Sequence, residues 1–569
     1  MVPIRSALRQ QGWLWLWLLP LAFLSFFFFR PLLAIFRLAF EGALAEGLSF
    51  DAWARLGQPL LFTIWQAGLS TLLTLLVGLP AAWVFARFSF PGKKLISTLS
   101  TLPFILPTVV AAAGFNALLG PRGWINLLLM DWFNLTSPPV QFLNSLGAIL
   151  LAHVFYNTTV VLRVVGSAWA QLDTRLEQAA RSLGASPLRT FWEVTAPLLR
   201  PPLAAAALLI FLFDFTSFGV ILLLGGPQYA TLEVEIYIQA LHLLNLPLAG
   251  LLSAVQLAAT LALTALYSRL VRGRNIPLTP RLSGEGQRRP RGWRERLVVV
   301  VTATSLVLLF VLPLLALASR SITRLEADRG QRGAIQTGLT LDYYRELFIN
   351  RRGAFFYVPP VEAARNSLSY AGLTVLISLG LGFLAARALA HRSKLNAVLD
   401  PLLMLPLGAS AVTLGLGFIV VFNRPPWDVG SFPLLIPLAH SLVALPFVVR
   451  TLYPALAAIP PELRQAAAVL GAPAWRVWLE VDLPIVARAA AASAVFAFTI
   501  SLGEFGATTF LARPETPTLP VAVYRFLSQP GAMNYGQALA MATLLMLLCA
   551  TAVLILERLE KVLGSTPSQ

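Results

Sequence analysis

The chain has 569 residues, of which 57% are hydrophobic and only 12% are charged, with a formal net charge of +17. An ordinary soluble domain carries about 25% charged residues, so this composition excludes a water-soluble globular protein and indicates a chain whose solvent is lipid. The single cysteine excludes an internal disulfide, and with four histidines no Cys/His metal cluster is expected. The positive charge lies between apolar stretches, where it sets topology, so no nucleic-acid partner is expected.

Twelve apolar stretches are long enough to cross a hydrocarbon core as helices, which requires roughly 20 residues each. The first stretch has no small-residue cleavage site after it and is interpreted as a retained helix. We therefore predict an all-α membrane protein with about 12 transmembrane helices. The predicted spans are 12–35, 60–86, 97–119, 145–171, 201–224 and 245–268, then 297–318, 365–390, 397–421, 433–457, 487–511 and 537–557.

Positive charge is distributed unevenly between the segments that join the spans. Twelve spans place both termini on one side, and the segments of that side hold roughly twice as many Lys and Arg residues as the other. Cationic loops resist translocation, so this side, with both termini, is predicted to be cytoplasmic. The arginine-rich segment 269–296 is predicted to be a cytoplasmic linker, and its contact with anionic membrane lipids is a secondary expectation.

The second half of the chain repeats the first. A shift of 287 residues aligns polar residues in one register, which chance similarity between apolar helices would not produce. Residues 1–268 and 297–569 are therefore predicted to be two parallel six-helix halves, related by a pseudo-twofold axis along the membrane normal. The matched pairs include His153 with His440, Arg163 with Arg450, Gln178 with Gln465, Glu193 with Glu480 and Tyr237 with Tyr524.

Two long loops, 173–197 and 460–484, lie at equivalent places in the repeat and on the predicted cytoplasmic side. Each begins with helix-start chemistry, which is Asp173 in the first loop and Pro460-Pro461 in the second. An Ala-rich helical turn follows in both loops. The pattern predicts a short helix that protrudes from the membrane in each half.

Each of these short helices is followed by a glycine and later by a proline. Gly184 and Gly471 are suited to the left-handed conformation that ends a helix. A second short amphipathic helix is predicted after each glycine, and Pro197 or Pro484 is expected to stop it before the next span.

This pattern resembles the EAA loop of the permease subunits of binding-protein-dependent ABC importers, in which Glu-Ala-Ala is followed by a glycine and later by Leu-Pro. In that family the helix before the glycine docks into a cleft on the ATPase. Arg464 stands where the first copy has Glu177, so the resemblance does not imply an identical salt bridge at both ATPase contacts. The coupling residues it implies are Glu177, Ala179, Ala180 and Gly184 in the first copy and Glu462, Arg464, Ala466, Ala467 and Gly471 in the second.

The resemblance covers nearly the whole chain, and two permease halves in one polypeptide are similar to iron(III) and thiamine importer permeases. The stretch 224–237 is similar to the thiamine type, whereas 501–506 is more widely shared. The resemblance implies a multi-pass permease of the bacterial cytoplasmic (inner) membrane. It would import a small solute, with iron(III) or thiamine leading, by alternating access.

The resemblance also implies the partners. A periplasmic or lipid-anchored binding protein would deliver the solute, and loops 225–243 and 512–536 are its predicted landing surface. This chain has no phosphate-binding loop, so two ATPase subunits on the cytoplasmic face would carry ATP and Mg. The chain itself is expected to bind no cofactor and not to be an enzyme. The alternative class is an ion-gradient-driven secondary transporter, which offers no reason for the two duplicated loops.

Asp214 and Glu504 are the carboxylates deepest in the predicted spans, where a charge is costly and usually functional. They are candidates for lining the translocation pathway; the alternatives are an interhelical hydrogen bond or a helix cap. The repeat aligns Ser501 with Asp214 and Ser217 with Glu504, so neither acid is duplicated.

The histidines His153 and His440 form a duplicated pair. Metal ligation by them is disfavoured because no supporting carboxylate or cysteine is expected nearby. Hydrogen bonds that position the helix leading into each loop are the favoured interpretation.

Overall fold

The computed structural model describes residues 14–46, 50–272, 287–324, 338–349, 359–391, 393–423 and 432–564. Within these ranges the regular structure is helical, with two isolated β-bridges. Ten helices are long and apolar enough to cross a membrane, and two bent helix pairs bring the candidates to twelve. The predicted all-α membrane fold is confirmed. Half of the predicted linker 269–296, namely residues 273–286, lies outside the described residues.

We number the candidate spans in chain order, and each bent pair takes one number. Several helices are longer than the candidate span that they contain, namely Arg30–Glu46, Phe50–Arg87, Leu246–Arg272 and Ala532–Gly564. Spans 1 to 6 are Trp15–Glu41, Leu56–Arg87, Lys93–Ile105 with Thr108–Phe133, Leu146–Gln171, Pro187–Phe215 and Leu246–Leu270. Spans 7 to 12 are Gly292–Arg320, Pro360–Leu389, Asn396–Gly408 with Ala411–Phe422, Leu435–Ala457, Trp475–Gly503 and Ala532–Ala552.

Spans 3 and 9 are not the continuous helices that were predicted, since their two parts meet at 112° and 96°. In span 3 the backbone of Leu106 is extended because Pro107 follows it and disfavours helical geometry there. In span 9 the chain leaves the helix at Ala409, and the Ser410 hydroxyl then accepts the N–H of Thr413 to start the next helix.

Spans 5 and 11 begin earlier than predicted, because Pro197 and Pro484 do not stop the helices before them. Each helix passes through its proline into the membrane-spanning part. A π-helical turn, Phe191–Thr195 or Trp478–Asp482, precedes each proline. Such a turn changes the local hydrogen-bond spacing, so a helix can accommodate the missing proline N–H. The predicted second amphipathic helix is therefore the first part of the span itself.

Both spans also end earlier than predicted. Span 5 ends at Phe215 and span 11 at Gly503, and the short helices Gly219–Leu224 and Gly506–Leu511 follow after a break. The predictions 201–224 and 487–511 were therefore wrong in treating each pair as one helix. Residues between the two parts have backbone groups without helical partners, so these breaks are places for buried polar side chains.

The chain forms two compact units. The first unit comprises Leu48–Glu235 and Ala258–Thr340, and the second comprises the remaining residues up to Gln569. Span 1 belongs to the second unit, where the indole of Trp17 donates to the Asn396 side chain at 3.1 Å. Span 7 belongs to the first unit, where Gly114 lies against the backbone of Pro313. The compact units therefore differ from the sequence halves by an exchange of their first spans and by the segment Ile236–Leu257, which belongs to the second unit.

One close helix contact has the same form in each unit. A Cβ atom added at Gly78 of span 2 would lie 2.7 Å from the Cβ of Val161 in span 4. One added at Gly382 of span 8 would lie 2.6 Å from Cγ1 of Val448 in span 10. Small residues let membrane helices approach closely, so these glycines fix how spans 2 and 8 pack on the spans that lead into the loops.

Candidate coupling loops and buried carboxylates

The first loop contains a helix with defined ends. Thr174–Ser182 begins where the Asp173 carboxylate accepts the N–H of Arg175 at 2.9 Å. Gly184 has φ +87°, the left-handed conformation that was predicted for it. The N–H groups of Gly184 and Ala185 donate to the carbonyls of Arg181 and Ala180, which forms a Schellman turn. The glycine therefore sets the angle at which the chain leaves the helix.

The second loop ends its helix in the same way. Pro461–Val469 starts with a proline in its first turn and is followed by Gly471 at φ +80°. The N–H of Gly471 donates to Ala468 and that of Ala472 to Ala467, as in the first copy. We name Thr174–Ser182 and Pro461–Val469 the coupling helices.

The coupling residues implied by the resemblance divide into two faces. Ala179, Ala466 and Glu462 are exposed, whereas Ala180 and Ala467 are half-buried. Glu177 does not point outward; its carboxylate pairs with Arg87 at the end of span 2 and accepts the Thr195 hydroxyl at 2.8 Å. The geometry assigns Glu177 to the attachment of the first coupling helix. Arg464 likewise contacts Asp482 within its own bundle at 2.8 Å.

Each coupling helix also exposes a large apolar side chain next to its glycine. Leu183 is 89% exposed and its counterpart Leu470 is 87% exposed. Val469 beside Leu470 is 87% exposed as well. These residues lie between spans, so lipid is not expected to cover them. Large apolar side chains are therefore exposed at equivalent places in the two copies.

The buried carboxylate of the first unit belongs to a polar cluster around His153. The Asp214 carboxylate accepts the Asn157 amide at 2.6 Å and lies 3.4 Å from the His153 Nδ1. The same ring contacts the hydroxyl of Ser70 at 2.9 Å and, through Nε2, that of Ser217 at 2.9 Å. The cluster ties spans 2 and 4 to the break at the end of span 5.

The second unit has a corresponding cluster around His440. Its Nδ1 contacts the Ser501 hydroxyl at 2.7 Å, and its Nε2 lies 3.2 Å from the Glu504 carboxylate. Glu504 also accepts the backbone N–H groups of Ala507 at 2.8 Å and Thr508 at 2.9 Å. Glu504 is therefore the cap of the short helix Gly506–Leu511, which is one of the alternatives predicted for it.

The sequence expectation that neither histidine has a carboxylate nearby was wrong. In the first unit the acid is Asp214 and the serine is Ser217, whereas in the second unit the serine is Ser501 and the acid is Glu504. The repeat aligns these positions crosswise, so acid and serine have exchanged places around the histidine. Among the described residues no group of three or more His, Cys, Asp or Glu side chains could hold a metal ion.

We expect Glu504→Ala to lower the thermal unfolding midpoint of the purified protein in detergent. Two buried backbone N–H groups would lose their acceptor, at about 1 to 3 kcal/mol each. Glu504→Gln keeps one acceptor oxygen and should have a smaller effect. Glu193→Ala, at an exposed carboxylate, is the control and should leave the midpoint unchanged. Equal midpoints for Glu504→Ala and the control would contradict the cap assignment.

These features together define a class of protein. It is a multi-pass membrane protein with two repeated sets of helices, each with a short helix that ends at a left-handed glycine between its fourth and fifth spans. The chain belongs to the family of inner membrane components of binding-protein-dependent transport systems, whose family model matches residues 75–326 and 378–563. Each matched segment contains one coupling helix, so the resemblance predicted from the two loops is confirmed. Its members are permease subunits of ABC importers.

Known relatives extend over almost the full chain. The thiamine transport system permease protein ThiP of Brucella suis is 28% identical over 549 residues, which cover 95% of this chain and 94% of that protein. ThiP of Escherichia coli is 27% identical over 516 residues, covering 88% of each chain. Among solved structures, a chain of a bacterial ABC transporter involved in alginate import covers 48% of this chain and 99% of its own at 18% identity, with a TM-score of 0.38.

Proposed function

We propose that the chain is the complete permease of an ATP-driven importer and that its coupling helices are the contacts for two ATPase subunits. The observation that supports this most is the pair of Schellman-terminated helices with exposed Leu183 and Leu470 at equivalent positions. A cleft on each ATPase subunit would cover these side chains. ATP and Mg would be bound by the ATPase subunits, and this chain would transmit their movement to its spans.

We propose thiamine as the imported solute, delivered by a soluble or lipid-anchored binding protein. The sequence analysis left two leading solutes, thiamine and iron(III). Thiamine permeases match 95% and 88% of this chain in the two relatives described above, which favours thiamine. The coupling helices would move with the ATPase dimer, and the spans would then open alternately to each side of the membrane.

Uptake in liposomes tests this proposal. The chain is reconstituted with the candidate ATPase and binding protein, and labelled thiamine is measured inside the vesicles with ATP enclosed. We expect uptake only when chain, ATPase, binding protein and ATP are all present. A proton or sodium gradient without ATP is the matched control, because uptake with the gradient alone would favour the secondary transporter. ATP-dependent uptake of iron(III) but not thiamine would overturn the substrate assignment only.

Asp214 and Glu504 remain predicted pathway residues, and the same assay examines that role. Both side chains are buried and hydrogen-bonded inside their own units. If they line the pathway, Asp214→Asn and Glu504→Gln should reduce uptake while the unfolding midpoint stays close to that of the wild type. Loss of uptake only in proportion to loss of stability would assign both residues to packing.

A further inference from the structure

The attachment of the two coupling helices differs in its charges although its geometry is repeated. In the first unit a carboxylate on the coupling helix, Glu177, lies between Arg87 at the end of span 2 and Thr195 at the start of span 5. Three elements meet at that carboxylate. It is largely buried, with 21% of its side chain exposed.

In the second unit the carboxylate belongs to the span and the cation to the coupling helix. Arg464 donates through Nε to Asp482 at 2.8 Å. Arg387, near the end of span 8, approaches the other oxygen of Asp482 at 3.4 Å. The Asp482 side chain is only 2% exposed, so it depends on these partners. The corresponding three elements meet here, but the carboxylate lies on the span and not on the coupling helix.

The repeat aligns these residues with one another. The shift that superimposes the halves pairs Glu177 with Arg464 and Thr195 with Asp482. Thr195 and Asp482 each end a π-helical turn at the start of their spans. The two differences compensate for each other. The coupling helix carries an acid in the first unit and a base in the second, and its contact on the span is a hydroxyl in the first unit and an acid in the second.

The residue at the end of the second span has changed as well. The glycine contacts Gly78–Val161 and Gly382–Val448 align span 2 with span 8, and this alignment places His391 where Arg87 stands. Burial and the guanidinium groups of Arg387 and Arg464 lower the pKa of His391, so its imidazole is uncharged at neutral pH. A permanent cation such as Arg87 would add a third positive charge beside Arg387 and Arg464.

We propose that Arg464 and Asp482 are positioning residues for coupling: they attach the second coupling helix to span 11 by an ion pair of reversed polarity, equivalent to the Glu177 attachment to spans 2 and 5. This inference rests on the proposed function of the loops. It gives Arg464 an internal role in place of a contact with the ATPase, and explains why the family's glutamate is dispensable in this copy.

Three variants in the second unit test the inference. Arg464→Glu restores the family residue but places a carboxylate against buried Asp482, so we expect substrate uptake to fall by more than about tenfold. The triple variant His391→Arg, Arg464→Glu and Asp482→Thr places the residue types of Arg87, Glu177 and Thr195 in the second unit, with Arg387 unchanged, and should return uptake to within about threefold of the wild type. Arg476→Glu is the matched control, because Arg476, at the start of span 11, pairs with exposed Glu480 of the same span.

The readouts separate positioning from folding and from the proposed function itself. For each variant we would measure the unfolding midpoint, binding of the ATPase subunits, ATP hydrolysis stimulated by the binding protein, and uptake. We expect Arg464→Glu to retain ATPase binding while stimulated hydrolysis is lost, and the triple variant to recover both. Full uptake by Arg464→Glu, a folded triple variant as defective as the single one, or an equal defect in Arg476→Glu would overturn the inference. A wild type without ATP-dependent uptake would instead overturn the proposed function.

Discussion

Gly184→Val and Gly471→Val are each expected to reduce ATP-driven uptake by about tenfold or more while the membrane-spanning part stays folded. Both glycines have positive φ, +87° and +80°. An L-residue in the left-handed region costs about 1 to 2 kcal/mol, and more for a β-branched side chain, which shifts a two-state equilibrium by about tenfold. A Cβ added at either position would meet no atom within 4 Å, so the expected effect is strain in the backbone and not a steric clash of the Cβ.

The strain would be relieved by loss of the Schellman turn, because the N–H groups of residues 184 and 185 can reach their carbonyls only from the left-handed conformation. The coupling helix would then leave the loop at another angle. Hydrolysis by the ATPase subunits should continue, and its stimulation by the binding protein should fall together with uptake. The measurement is therefore the number of solute molecules imported per ATP hydrolysed.

Gly92→Val is the matched control for both variants. Gly92 also has φ +80° and no neighbouring atom within 4 Å, but it lies in the loop between spans 2 and 3. The same backbone strain therefore arises outside the coupling loops. If Gly92→Val uncouples transport as strongly as Gly184→Val, or if neither loop variant changes uptake, the glycines have no special part in coupling.

Features that depend on local chemistry could be predicted from the sequence. The two coupling helices followed from Asp173, the Ala-rich turns and the two glycines, since capping and left-handed termination are decided within a few residues. Their duplication made the prediction stronger, because the same pattern recurred in one register. The apolar stretches located the spans for a similar reason, as hydrophobic length is a local property.

Features that depend on contacts between distant segments were missed. The breaks after Phe215 and Gly503 carry no proline, and apolar sequence resumes on the far side of each. The carboxylate beside each histidine was missed because the acid and the serine exchange places between the halves. A comparison that looks for identical residues at aligned positions finds no duplicated acid there. The aligned exchange of Asp214 with Ser501 and Ser217 with Glu504 was the signal that could have revealed it.

The exchange of first spans between the compact units was equally inaccessible. Nothing in the sequence order indicates that span 1 packs with Asn396 and Gly417 of the second unit. The buried Asn396 amide needs a partner, and its oxygen accepts the indole N–H of Trp17 while its nitrogen donates to backbone carbonyls. Such a match becomes visible only when both segments are placed in space.

Gly78→Ala and Gly382→Ala should destabilise the chain by about 1 to 3 kcal/mol, although alanine is the better helix former. The new Cβ would lie 2.7 Å from Val161 Cβ in one case and 2.6 Å from Val448 Cγ1 in the other, far inside contact distance. Spans 2 and 8 would have to move away from spans 4 and 10. Because those spans lead directly into the coupling loops, uptake should fall with the unfolding midpoint.

Compensating changes distinguish this close contact from a general need for glycine. At Gly382 the near atom belongs to the valine's branch, so adding Val448→Ala should restore most of the midpoint. At Gly78 the near atom is the Cβ of Val161 itself. Adding Val161→Ala should therefore leave the midpoint low, whereas adding Val161→Gly should restore it.

Gly68→Ala and Gly380→Ala are controls that should change the stability in the opposite direction. Both glycines are exposed, and a Cβ added at either would have no atom within 4 Å. Alanine there should raise stability by about 0.5 to 1 kcal/mol. If all four alanine variants shift the midpoint in the same direction, the packing of spans 2 and 8 does not depend on these two contacts. The charged attachments at Glu177 and Asp482 would then be the contacts left to connect spans 2 and 8 with the coupling loops.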